Sequence, residues 1–115
     1  MYEMILPIKG KWFCMIQTGE KLEEYREMKQ YYAVRLAKIL GYFEKYPDMS
    51  KNECVDMMNK DLRRSESRII TVLFRNGYST DSPCFERKCS IRIKTGKNEW
   101  GAADQVEYYT FSINK

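Results

Sequence analysis

Apolar and polar positions along this chain switch between a two-residue and a helical period, and the switches divide it into elements. Met4, Ile5, Leu6 and Ile8 form a short apolar run, punctuated by Pro7 and Gly10, that predicts a first strand entering a turn. Over residues 11–18, Trp12, Met15 and Ile16 share one helical face and Gly19 supplies the stop, so Trp12 and Ile16 are expected in the core. Tyr32, Leu36, Ile39, Leu40 and Phe43 then recur at helical spacing as far as Pro47, which ends that helix. Ser50 and Glu53 have the spacing of a capping box for a second helix, whose Val55, Met58 and Leu62 face inward.

The second half returns to strands. Ile69, Ile70, Val72, Leu73 and Phe74 put apolar groups on both faces of one strand, which predicts a central place in a sheet. Asn76-Gly77 is a strong turn signal at its end, and Arg75, Asn76 and Tyr78 sit where a rigid scaffold commonly presents functional side chains. Cys89, Ile91 and Ile93 alternate with Lys88, Ser90, Arg92 and Lys94, giving a half-buried strand with a basic outer face. Residues 95–101 read as a loop, and Tyr109, Phe111 and Ile113 alternate in a closing strand. Five strands with helices inserted among the early ones predict an α+β chain built on a small, closed or nearly closed mixed β-barrel.

Between the first two helices lies a dense run of charge, residues 19–26, that looks like the start of a strand. In an extended backbone Lys21, Glu23 and Tyr25 share one face, and Leu22, Glu24 and Arg26 the other. A Glu and an Arg two residues apart on a strand can form a receptor for a ligand that carries both donors and acceptors. Spacing alone is equally the mark of a solvated turn, because charge runs are usually surface.

Composition narrows the chemistry. A chain of 115 residues, 43% hydrophobic and 31% charged, is expected to fold as one domain, residues 1–115, with a core that needs no metal or disulfide. It has no histidine, which removes the commonest general base and every Ser-His or Cys-His nucleophile system. Among Cys14, Cys54, Cys84 and Cys89 only the last two are close in sequence, so free thiols are expected and no metal site or cofactor is implied. No apolar stretch approaches a membrane span, and the first residues lack the basic start of a signal peptide, so the expected location is the cytoplasm. The net charge of +4 is uneven: residues 60–97 hold ten basic and four acidic residues, a bias compatible with a phosphate-bearing partner. Arg63 and Arg64 suit either that role or the negative end of a helix dipole.

Several separated blocks, in order, carry a resemblance. They are Leu6-Pro7-Ile8-Lys9-Gly10-Lys11-Trp12-Phe13, Gly19-Glu20-Lys21 with Glu24-Tyr25-Arg26, Phe74-Arg75-Asn76-Gly77-Tyr78-Ser79, Gly96-Lys97 with Glu99-Trp100-Gly101-Ala102, and Glu107-Tyr108-Tyr109. Together they resemble an ASCH domain of the PUA-like superfold, and in particular the small ASCH proteins often encoded by phages and prophages. The stretch from about Pro47 to Ser67 corresponds least and reads as a helical insertion.

The resemblance implies a PUA-like barrel with a cleft beside the first helix that binds RNA or a modified nucleotide. Its motif positions carry over as Lys21, Glu24 and Arg26, with Lys9 at the entry to the first helix. Glu24 can accept from a base amine or ring N–H, and Lys21 and Arg26 can supply donors and neutralise phosphate. Tyr25, Tyr78 or Trp100 can offer a stacking face. Some family members resemble amidohydrolases that act on acylated cytidine through a lysine, a threonine nucleophile and a distal glutamate. Lys21 matches that lysine, but Glu24 stands where the threonine would be, which leaves a carboxylate base on water with Lys21 polarising a carbonyl. Others resemble ribonucleases, for which Lys21, Tyr25 and Ser79 are the nearest candidates. The expected function is thus an RNA- or modified-nucleotide-binding module, with a hydrolase or ribonuclease on RNA or acylated nucleosides as the alternative. A protein-interaction module is the third reading.

Overall fold

In the computed structural model, which describes residues 1–64 and 68–114, the chain runs β1 (Met4–Ile8), α1 (Gly10–Thr18), β2 (Glu23–Arg26), α2 (Gln30–Ile39), α3 (Tyr42–Lys45), α4 (Lys51–Arg63), β3 (Arg68–Asn76), β4 (Cys84–Thr95), a 3-10 turn (Asn98–Trp100) and β5 (Glu107–Ile113). The strands form one mixed sheet in the order β1-β3-β4-β5-β2, with β1 parallel to β3 and the other neighbours antiparallel. This sheet curls into a half-barrel. Its two outermost strands approach each other closely enough that the Arg26 guanidinium on β2 donates to the Pro7 carbonyl on β1 at 2.8 Å.

Cross-strand register fixes which residues face the core. Leu6, Phe74 and Phe85 lie opposite one another along β1, β3 and β4, and Ile91 with Phe111 and Ile93 with Tyr109 continue that face across β4 and β5. On β2 the same rows end in Glu24, opposite Phe111, and Arg26, opposite Tyr109. The edge strand therefore turns a carboxylate and a guanidinium toward the buried side. α1 closes this face through Phe13, whose ring lies 4.9 Å from Phe85, and α4 contributes Cys54, Val55, Met58 and Leu62. The Ser50–Glu53 capping box forms in full.

Several elements differ from the sequence pattern for identifiable reasons. The helix expected to run to Pro47 stops at Ile39, because Gly41 adopts a left-handed φ of 84° that no helix continues through, and α3 starts afresh after it. β4 begins at Cys84 rather than Lys88: Arg87 occupies a core-face position, masking the alternation, with its guanidinium 4.5 Å from the Phe85 ring. In α1 the buried pair is Phe13 and Ile16, while Trp12 is only half-buried. β3 is central as expected, yet its Ile69 is exposed. The last residues of the insertion-like stretch, 65–67, lie outside the described residues.

All four cysteines are free thiols, Cys14 and Cys84 exposed and Cys54 and Cys89 buried. Burial pushes the Cys89 thiol up to about 12, with Arg87 acting in the opposite direction. No helix among the described residues is long and apolar enough to cross a membrane.

Candidate functional site

The link between α1 and β2 places the first functional side chain. Gly19 ends α1 in a left-handed conformation, and the Lys21 N–H returns to the Met15 carbonyl at 2.9 Å, so Lys21 sits just before β2 rather than within it. Strand alternation consequently does not apply to Lys21: its ammonium meets Glu24, not the face of Glu23 and Tyr25 expected from the sequence. Within β2 the expected alternation holds. Glu23 and Tyr25 point one way, joined by a 2.6 Å hydrogen bond from the phenol, and Glu24 and Arg26 point the other.

Lys21, 1% exposed, is enclosed by acceptors. Its Nζ donates to Glu24 Oε1 at 2.7 Å and to the Trp100 carbonyl at 3.0 Å, and lies 4.5 Å from the centre of the Trp12 ring. The second oxygen of Glu24 accepts from Arg26 Nη2 at 2.7 Å. Arg26 also donates to the Pro7 carbonyl and, through Nη1, to the Tyr32 hydroxyl at 3.1 Å, while its buried Nε–H has no partner among the described residues. Burial alone would lower the Arg26 pKa, but the Glu24 carboxylate and the Tyr32 hydroxyl outweigh it and raise the value above the ordinary guanidinium range. Two cations thus bracket one carboxylate, which offsets the desolvation of Glu24, itself only 7% exposed, and leaves a local excess of positive charge.

Glu24 and Arg26 form one wall of a cavity of about 330 Å³, whose other walls are Pro7, Ile8, Lys9, Trp12, Gly77 and Tyr78. It lies at the seam between β1 and β2, beneath the start of α1. Lys9, the N-cap residue of α1, is exposed at its rim, and Tyr78 projects 88% exposed from the turn after β3. A second hollow of about 250 Å³, bordered by Glu24, Tyr25, Arg26, Glu27, Lys29 and Tyr32, shares the Glu24–Arg26 pair.

Of the residues singled out from the sequence, Lys9, Glu24, Arg26 and Tyr78 meet around one space. Lys21 is adjacent but behind the carboxylate. Trp100 contributes its carbonyl, and its ring is covered by Lys97, whose Nζ lies 4.6 Å from the ring centre. Asn76 packs beside the first turn of α1, where a Cβ on Gly10 would stand 3.5 Å from Asn76 Oδ1. Arg75 follows Phe74 on β3 and so points to the opposite face. The Tyr25 hydroxyl donates to Glu23 and accepts from the Lys97 N–H at 3.0 Å, and Ser79 accepts from the Asp81 N–H at 3.2 Å in the exposed turn. Lys21 Nζ lies 5.7 Å from the centre of the Tyr25 ring, while Ser79 is engaged within its own turn. Desolvation, reinforced by the hydrogen bond to Glu23, raises the Tyr25 pKa well above the ordinary phenol value.

Trp12, assigned to the core by its helical spacing, is instead a cavity wall, with Lys11 as well as Lys21 over its ring, at 4.7 and 4.5 Å. Helical spacing does not separate the two roles, since a cavity wall and the core can share one face of a helix. Among the described residues no three His, Cys, Asp or Glu side chains cluster to hold a metal ion. No protein-family model, no curated protein and no solved structure matches this chain.

Proposed function

We propose that this chain is a PUA-like, ASCH-type module that binds RNA or a modified nucleotide in the cavity between α1 and the sheet. One observation carries the reading: Glu24 lines that cavity as a carboxylate whose two oxygens each accept one buried cationic donor. Each oxygen has a further lone pair, so the group is held rigid and still has capacity to accept from a base. Trp12 and Tyr78 supply aromatic surface, and Lys9, Lys11 and Arg26 supply positive charge for phosphate. The volume, about 330 Å³, falls within the range of small-ligand sites.

The same geometry favours binding over turnover. A lysine that polarises a carbonyl needs an N–H aimed at the substrate. Lys21 directs its ammonium at a carboxylate, a backbone carbonyl and an indole face, and stands behind the cavity wall rather than in it. Its role in this reading is to orient Glu24.

The test is a titration of single-stranded RNA monitored by tryptophan fluorescence over a series of salt concentrations, with the RNA recovered and sized afterwards. Affinity is expected to fall as salt rises, by a logarithmic slope of about 0.7 per phosphate contact, with the RNA intact. Lys9→Ala should flatten that slope by about one contact while leaving the fold unchanged. Absence of binding by RNA and by mononucleotides overturns the reading, and cleavage that disappears in Lys21→Met replaces it with the nuclease alternative.

A further inference from the structure

Resting on that reading, we propose that the cavity selects guanine, through the Watson–Crick edge of a guanosine nucleotide. The argument starts from what Glu24 can and cannot do. Paired with Lys21 and Arg26, it is an ionised carboxylate and hence an acceptor only, with one lone pair left on each oxygen after the two protein donors are counted. A ligand edge that satisfies both oxygens must present two adjacent N–H groups. Among the four common bases only guanine does so, with N1–H beside the N2 amine. Adenine and cytosine set a ring nitrogen acceptor next to their amine, which a carboxylate repels, and uracil flanks its single N–H with two carbonyls.

The third position of the edge matches as well. Guanine O6 is an acceptor next to N1–H, and the Arg26 guanidinium, a cationic donor, lines the same cavity beside Glu24. The ligand pattern donor, donor, acceptor meets the protein pattern acceptor, acceptor, donor. Charge excludes the other common bearer of two parallel N–H donors, a guanidinium. Lys9, Lys21 and Arg26 flank the Glu24 carboxylate, so a second cation is repelled and an anionic nucleotide attracted.

The test is a calorimetric titration of the wild-type chain with the 5′-monophosphates of guanosine, inosine, adenosine, cytidine and uridine. Inosine keeps N1–H and O6 and lacks only the N2 amine. The guanosine nucleotide is expected to bind about tenfold or more tightly than the inosine nucleotide, the loss due to one hydrogen bond to a charged group, and more tightly again than the other three. In Glu24→Gln, with its fold verified by circular dichroism, the guanosine-to-inosine ratio should fall toward one. Equal affinity for the guanosine and inosine nucleotides, or a preference for adenosine, overturns guanine selection and leaves nucleotide binding standing. Failure of all five to bind overturns guanine selection, and the RNA titration then decides whether the binding reading stands. The wild-type comparison decides the matter even if the Gln variant does not fold.

Discussion

Lys21 brings an ammonium group to three electron-rich neighbours, the Glu24 carboxylate, the Trp100 carbonyl and the Trp12 ring, and that match explains how a lysine 1% exposed is tolerated. Removing one member of a buried ion pair leaves the other uncompensated, which costs about 3–5 kcal/mol. Here Arg26 still neutralises part of the Glu24 charge, so Lys21→Met is expected at the lower end, about 3 kcal/mol, measured by urea unfolding. The double variant Lys21→Met with Glu24→Gln should recover part of that loss, since the surplus charge is gone while the amide oxygen can still accept from Arg26. If the single variant costs no more than an exposed substitution such as Lys9→Ala, within about 0.5 kcal/mol, the ion pair does not brace the site.

At the scale of the element, the segment from Gly96 to Ala102 ties the outer side of β2 to α1. Gly96 lies against Tyr25 so closely that an added Cβ would stand 2.5 Å from Tyr25 Cε1 and 2.7 Å from Ala102 Cβ, and Gly101 approaches the Trp12 ring, where a Cβ would be 3.4 Å from Cζ2. The loop then delivers the Lys97 N–H to Tyr25 and the Trp100 carbonyl to Lys21. Gly96→Ala must displace the loop and is expected to cost about 1–3 kcal/mol by overpacking. It should also weaken nucleotide affinity, although Gly96 does not line the cavity. Gly19→Ala is the control: its φ of 86° makes it strained, but nothing lies within 4 Å, so the cost should stay near 1–2 kcal/mol with no steric displacement of a loop. Equal affinity for both variants and wild type in the calorimetric assay would separate this loop from the site.

On the scale of the whole molecule, the sheet is where the sequence was most readable. Period-two runs such as Cys89, Ile91 and Ile93 report burial directly, and the capping box of α4 is a local signal that tertiary contacts have no reason to override. The break at Gly41 was less visible, because a glycine within a helical period does not reveal its own φ. The site was legible in its motif residues, Glu24 and Arg26, whose alternation follows from the strand. Lys21 was legible as a motif residue but not in its orientation, because it precedes the strand, and Trp12 was not legible, since helical spacing is shared by core and cavity residues alike. The bias of positive charge toward residues 60–97 gave no hint of this cavity, where the cations beside Glu24 are Lys9, Lys21 and Arg26, all from outside that span. Distant strands converge at the seam of the half-barrel, and proximity across a seam leaves no trace in local composition.

The seam itself has a consequence for how copies of this chain behave together. A half-barrel retains two strand edges, and exposed edges are templates for pairing with another molecule. Here Pro7 removes one backbone donor from β1, and Arg26 takes up the carbonyl of the same residue. The guanidinium thus acts as a stopper against strand addition as well as a wall of the cavity. Arg26→Ala should consequently elute at larger size than wild type at equal concentration in size-exclusion chromatography with light scattering. An unchanged profile would mean that the edges are guarded by something other than Arg26. If the shift is seen, selection for solubility and selection for ligand binding bear on the same side chain, and a chain that lost its ligand would still have reason to keep this arginine.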